Sequence, residues 1–350
     1  MKLLSHPGVL ATLLAATLFG AGTPLAKLLL AQTSPWLLAA LLYLGSGLGL
    51  FLLRQVRRPA PVHMPRGEWK WLAGAVAAGG VVGPVLLMVG IAGMPASGAS
   101  LLLNAEGVLT ALIAWCVFRE NVDRRVALGM LAIVAGGVIL SWPGDAQFGG
   151  FWPALAVVGA CLAWGIDNNL TRKVSLSDAS LIAMVKGLAA GVTNLMLALS
   201  LGASWPEIPV VLAAALLGFA SYGASLALFV LGLRHLGTAR TGAYFSIAPF
   251  VGAALAIALL GEPLTLPLVT AGALMAWGVW LHLTESHQHS HTHEALEHSH
   301  EHEHGRGDEH HDHAHETPVA PGTRHAHPHR HLPITHSHAH FPDTHHRHSH

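Results

Sequence analysis

Ten apolar segments of roughly 20 residues follow one another up to residue 283, separated by charge clusters and by proline and glycine. A bilayer core of about 30 Å takes about 20 helical residues to cross. A backbone without water must pair its own N–H and C=O groups, so each segment reads as a spanning helix. The spans are 9–31, 35–53, 69–91, 95–118, 125–142, 151–170, 179–201, 207–233, 238–260 and 264–283. Composition agrees: 52% of residues are hydrophobic and 11% charged, against about 25% charged in soluble domains. The first run is long for a signal peptide and has a counterpart later in the chain, so it counts as a helix.

Charge sets the orientation. With the N-terminus inside, one side collects Lys2, Arg54, Arg57, Arg58, Arg66, Lys70, Arg119, Arg124, Arg125, Arg172, Lys173, Arg234 and Arg240, and the other only Lys27. Basic residues stay on the cytoplasmic side. Both termini are therefore expected in the cytoplasm of a bacterial-type inner membrane. The interfacial tryptophans Trp36, Trp69, Trp71, Trp142, Trp152 and Trp205 fall near span ends. Cys116 and Cys161 lie inside apolar runs and make no disulfide framework.

At a shift of 142 residues, Leu86–Gly90 falls on Leu228–Gly232 and Phe118-Arg119-Glu120 on Leu260-Gly261-Glu262. At 145, Phe19-Gly20 falls on Trp164-Gly165 and Lys27 on Arg172. The repeated unit is five helices. Five is odd, so the second copy enters from the opposite side, the inverted repeat that builds alternating-access transporters. The expected fold is all-α: ten transmembrane helices in two five-helix copies, 1–142 and 143–285, then a disordered tail over 286–350.

This pattern resembles the drug/metabolite transporter superfamily, EamA type, which carries a Trp-Gly in each copy's first helix and a Gly-Glu ending each fourth. Here these read Phe19-Gly20, Trp164-Gly165, Arg119-Glu120 and Gly261-Glu262. The resemblance covers 9–283 and implies a secondary carrier, often an exporter, with a central cavity and no ATP site. Proline is usual in both fourth helices; this chain has Pro249 in one and Gly107 in the other.

Polar residues inside the spans mark the candidate cavity. Glu106 falls near the middle of its span, where an acid costs roughly 2.5–3.5 kcal/mol. It is therefore either neutral, because burial disfavours charge, or paired with a cation. Asn104 and Thr110 lie nearby. Asp167, Asn168 and Asn169 form a polar break late in the sixth span, and Lys186 in the seventh is a candidate partner for Asp167 or Glu106, or else reaches the inner surface. Gly45–Gly49 and Gly187–Gly191 are GxxxG spacings suited to close packing, and Pro84, after Gly79, Gly80 and Gly83, bends the third span.

The tail holds 23 of the 27 histidines and nets −5 against +5 for residues 1–286. With so few apolar residues it cannot offset its ordering entropy, so disorder is expected without metal. Its alternating imidazoles suit zinc, nickel, cobalt or copper. The expected ligands are His287, His289, His291, His293, His298, His300, His302, His304, His310, His311, His313, His315, His336, His338, His340, His345, His346, His348 and His350. His300–His304 formally satisfies HExxH, but that motif needs a packed helix, so peptidase chemistry is rejected.

The sequence thus predicts a secondary transporter, not an enzyme, working by alternating access with protons coupled through Glu106 and requiring no cofactor. A divalent transition metal enters as cargo or regulator; the alternative is an exporter of an organic metabolite or amino acid whose tail senses or buffers metal. The implied partners are the lipid bilayer and a small-molecule or metal-ion cargo, with nucleic acid excluded.

Overall fold

Proline at a helix start costs nothing, because the first N–H groups have no intrahelical acceptor, and two of the apolar runs begin that way. Pro7–Leu29 (α1) and Pro35–Arg57 (α2) are 23-residue helices, the second preceded by Ser34, whose hydroxyl accepts from the Leu37 N–H at 3.3 Å. They open a computed structural model that describes residues 7–57, 66–118, 124–141, 151–171, 178–283, 287–293, 296–303, 324–331 and 334–340. Lys2, Arg58, Arg119, Glu120, Trp142, Arg172 and Lys173 lie outside the described residues, as do His304, His310, His311, His313, His315, His345, His346, His348 and His350.

Trp69–Ala75 (α3) runs through a π-helical stretch, Val76–Val82, into Gly83–Gly93 (α4), and Ala96–Leu102 (α5) and Ala105–Phe118 (α6) follow. Then come Arg124–Ser141 (α7), Phe151–Thr171 (α8), Ala179–Ser200 (α9) and Ile208–Gly218 (α10). A second π-helical stretch, Phe219–Ala224, leads into Ser225–Phe245 (α11), then Ala248–Leu260 (α12) and Leu266–Leu283 (α13). Among the described residues, seven helical runs are long and apolar enough to cross a membrane, and three shorter apolar helices accompany them. The outside is as apolar as the core: Leu52, Val56, Leu131, Leu212 and Leu216 are exposed, while Leu37, Leu42, Met88, Leu102 and Met275 are sealed inside. A solvent of lipid accounts for that, and up to Leu283 the described residues form an all-α membrane protein.

Three sequence expectations change. The 207–233 and 238–260 spans do not part at 233–238: α11 continues to Phe245 and the chain breaks at Ser246-Ile247. Residues 234–245 contain no proline, whereas Pro249 fits the first turn of a helix, so a new helix starts at Ala248 and the interruption falls just before it. The polar Asp167–Asn169 stretch is no break, because α8 passes through it unbroken to Thr171. The tail, expected to be disordered, forms four strands, His287–His293 (β1), Leu296–Glu303 (β2), Arg324–His331 (β3) and Ile334–His340 (β4), with β1 antiparallel to β4 and β2 to β3. Histidine at every second position, which supplies ligands, is also the period of a strand. The strand at Leu296–Glu303 also removes the helix that HExxH chemistry requires.

α2 packs on α9, α7 on α13, α1 on α11 and α12, and α8 on α4 and α6. The motif glycines explain two of these crossings. A Cβ at Gly20 would strike the Ala248 carbonyl of α12, and one at Gly165 would press on Leu109 and Thr110 of α6. Of the GxxxG pairs, Gly187–Gly191 serves the α2–α9 contact, with Gly187 against Gly47 and Gly191 against Leu44, whereas Gly45 and Gly49 face Ala215 of α10 and Phe219. Gly47→Val should therefore force α2 and α9 apart and cost about 1–3 kcal/mol; a variant melting like the wild type in detergent would contradict this.

Each end of the bundle carries a polar clasp. At one, the Asp178 carboxylate caps α9 by accepting from the Ser180 N–H at 2.8 Å and the Leu181 N–H at 3.3 Å, and receives the Arg54 guanidinium of α2. Burial alone would raise the Asp178 carboxyl, but Arg54 and the two amides hold it below its ordinary value. A depressed carboxyl contributes stability above its unfolded value near 3.9 and loses it as pH falls through the lower folded value. The wild type should lose melting temperature below about pH 4 more steeply than Asp178→Asn, which should lack about 1 kcal/mol at pH 7; parallel melting curves across pH 3–7 would refute this. At the opposite end, Lys27 Nζ donates to the carbonyls of Ile91 (2.6 Å) and Met94 (2.5 Å), closing the C-terminus of α4. Glu262 caps the start of α5, accepting from the N–H groups of Ala96 (2.6 Å) and Ser97 (2.8 Å).

Candidate functional site

The α5–α6 interruption places the first acidic group. Asn104 N–H donates to the Leu101 carbonyl at 3.1 Å and its side-chain amide to the same oxygen at 2.8 Å, tightening the last turn of α5. α6 then restarts at Ala105, which puts Glu106 in its first turn, where the positive helix end favours an anion. Asn104 itself faces Met275 of α13, at 3.9 Å from its sulfur. It shapes the break and does not join the cluster around Glu106.

That cluster is built across α6, α8 and α9. Asn168 Nδ2 donates to Glu106 Oε1 at 2.9 Å and to Thr110 Oγ1 at 3.3 Å. Asn169, on the buried side of α8, donates to the carbonyls of Thr110 (3.2 Å) and Gly165 (2.8 Å), tying α8 to α6. Lys186 of α9 takes Asp167: its Nζ lies 2.6 and 2.7 Å from the two carboxylate oxygens, and Thr171 Oγ1 donates to Oδ1 at 2.8 Å. Of the two partners expected for Lys186, the structure selects Asp167. The cation turns inward and does not reach for the surface, because Asp167 is 5% exposed and an unpaired charge so buried is costly.

Residues missed by sequence reasoning close the site from α2 and the first π-helical stretch. That stretch frees carbonyls from the helical ladder: Gly79 O accepts from Tyr43 Oη (3.0 Å) and Trp164 Nε1 (2.9 Å), and Gly80 O from Asn194 Nδ2 (2.9 Å). The bend expected at Pro84 is thus a π-helical stretch just before it, and the clue was Gly79-Gly80 beside that proline. Thr171, the third partner of the ion pair, had no signal beyond its spacing of four from Asp167.

The expected central cavity is narrow in this conformation. A crevice too narrow to admit a water molecule lies between α1, α5 and α12, lined by Phe19, Thr23, Ser100, Leu103 and Pro249. Small-molecule sites run to roughly 300–1,000 Å³. Phe19 closes one wall through ring contacts with Tyr222 and Phe245 at centroid distances of 5.9 and 5.5 Å.

Residues 6–142 match the model of the EamA-like transporter family. That stretch of the chain is therefore similar to a family of transporters. It is 27% identical over 295 residues to a protein described as an uncharacterized transporter of Methanothermobacter thermautotrophicus, a match covering 78% of this chain and 85% of the relative. A solved crystal structure, 19% identical, covers 79% of this chain and 96% of its own with a TM-score of 0.59, which speaks to the fold alone. The matched family and the relative are both described as transporters.

Proposed function

We propose that this EamA-type protein is a proton-coupled secondary transporter of a small organic solute, an exporter across a bacterial-type inner membrane, working by alternating access between two inverted five-helix copies. The observation that carries the reading is the polar cluster of Glu106, Asn168, Asp167 and Lys186, held between α6, α8 and α9 beside an interrupted helix. Interrupted helices at matched places are where such transporters hold their cargo. Here the breaks at Leu103-Asn104 and Ser246-Ile247 stand about 142 residues apart, as do the two π-helical stretches. The clasp of Lys27 and Glu262 closes one end and that of Arg54 and Asp178 joins the copies at the other, so opening either end breaks identifiable contacts.

An organic solute suits this site better than a divalent metal cargo. Both Asp167 oxygens are taken by Lys186 and Thr171, and Asn168 presents its donor amide to Glu106. One carboxylate and a hydroxyl remain, short of the nitrogen- and oxygen-rich set a transition metal needs. The metal belongs instead to the histidine tail, which binds zinc, nickel, cobalt or copper and reports it to the transporter. Liposomes holding a metal-sensitive dye test the division of labour, with the full chain compared with one ending after Glu285. No metal flux from either, alongside pH-driven efflux of radiolabelled amines or amino acids by both, is the expected result; metal flux surviving truncation would make the metal the cargo.

A further inference from the structure

We propose that the tail binds divalent transition metal between opposed positions of its two antiparallel ladders, the binding unit being a histidine from each of two strands. The inference rests on the reading above that the tail is a metal site. It adds which histidines act together.

The register carries it. In the β1–β4 ladder, His287 stands opposite His340, His289 opposite His338 and His291 opposite His336. In the β2–β3 ladder, His298 stands opposite His329, His300 opposite His327 and His302 opposite His325. Successive positions alternate between faces of a strand, so each set of opposed histidines shares one face. The other face holds Gln288, Ser290 and Thr292 in one ladder, and in the other it sets Glu297 against Arg330 and Glu303 against Arg324. A slip of one residue would set every one of these histidines opposite a residue other than histidine.

Opposed positions lie about 4.5–5.5 Å apart and the next pair on the same face about 7 Å further along. One pair supplies two nitrogens and two successive pairs supply four, the number a tetrahedral zinc or cobalt takes. A two-stranded ladder is marginal in water without help, so ion binding and strand pairing reinforce each other. β1 begins four residues after α13 ends at Leu283, so the ion draws the far end of the chain back beside the last membrane helix.

Full-length protein in lipid nanodiscs, titrated with Zn(II) and Co(II) at pH 7.5, tests this. Three variants are compared: His287, His289 and His291 all to Gln; His336, His338 and His340 all to Gln; and the six together. Coupled strands predict that either triple removes the same tight sites and that the sixfold variant removes no more. Losses that add up, as for independent histidines along a coil, would overturn the proposal while leaving a metal-binding tail. In a chain with Cys116 and Cys161 replaced by alanine, spin labels at Thr292 and Thr335 should give a single short distance on adding Zn(II); a broad distribution unchanged by zinc would also overturn it. Tight binding undiminished in a chain ending after Glu285 would remove the tail reading itself.

Discussion

Glu106→Gln should lower proton-driven flux at least tenfold and flatten its pH dependence, with the protein still inserted and folded. The substitution keeps the shape of the side chain and an oxygen at the Oε1 position, so the hydrogen bond from Asn168 Nδ2 survives. It removes only the capacity to bind and release a proton. A merely structural Glu106 would tolerate the change, because a neutral hydrogen bond to an amide costs about 1 kcal/mol less than a charge-assisted one at most. Flux in proteoliposomes under imposed pH gradients separates the cases. Wild-type rates and wild-type pH dependence in Glu106→Gln would end the coupling role.

The Asp167–Lys186 pair should behave as a unit. Lys186→Met leaves a buried carboxylate with only Thr171, and Asp167→Asn leaves a buried ammonium; each single change should cost about 3–5 kcal/mol. The double variant leaves no uncompensated charge and should return to near wild-type stability. Transport should stay lost in the double variant, since Lys186 spans α8 and α9 and is the cation closest to the cluster, linked to Asp167 next to Asn168. Melting temperature and flux measured on the same preparations resolve the matter. A double variant that regains both would make the pair a packing device and leave Glu106 alone at the centre of the mechanism.

These contrasts follow from how differently the residues could be read in the sequence. Glu106 stood out because an acid within a long apolar run is costly wherever it ends up. Lys186 had two candidate partners and a route to the surface, and the choice depended on how α8 and α9 both pack on the π-helical stretch Val76–Val82, which brings Lys186 to Asp167. Asn104 looked equivalent to Thr110 by proximity, yet the turn at Leu103-Asn104 rotates one toward α13 and leaves the other beside Asn168. Tyr43 and Trp164 converge on Gly79 from helices far apart in the chain, and only packing could reveal that the π-helical carbonyl needed them. In the tail, the sequence does not single out His325, His327 and His329, yet the register sets each of them opposite a histidine of β2.

By itself the sequence determined the solvent and the helical class, because lipid demands long apolar runs with self-paired backbones. Tertiary structure decided the pairings. Whether Lys186 meets Asp167 or Glu106, whether Asn104 belongs to the site, and that Lys27 and Glu262 clasp the same α4–α5 turn from opposite halves all depend on which helices cross and at what height. Such contacts are set by ridges, glycine gaps and interrupted turns over several helices at once, a balance that no single segment of the chain contains.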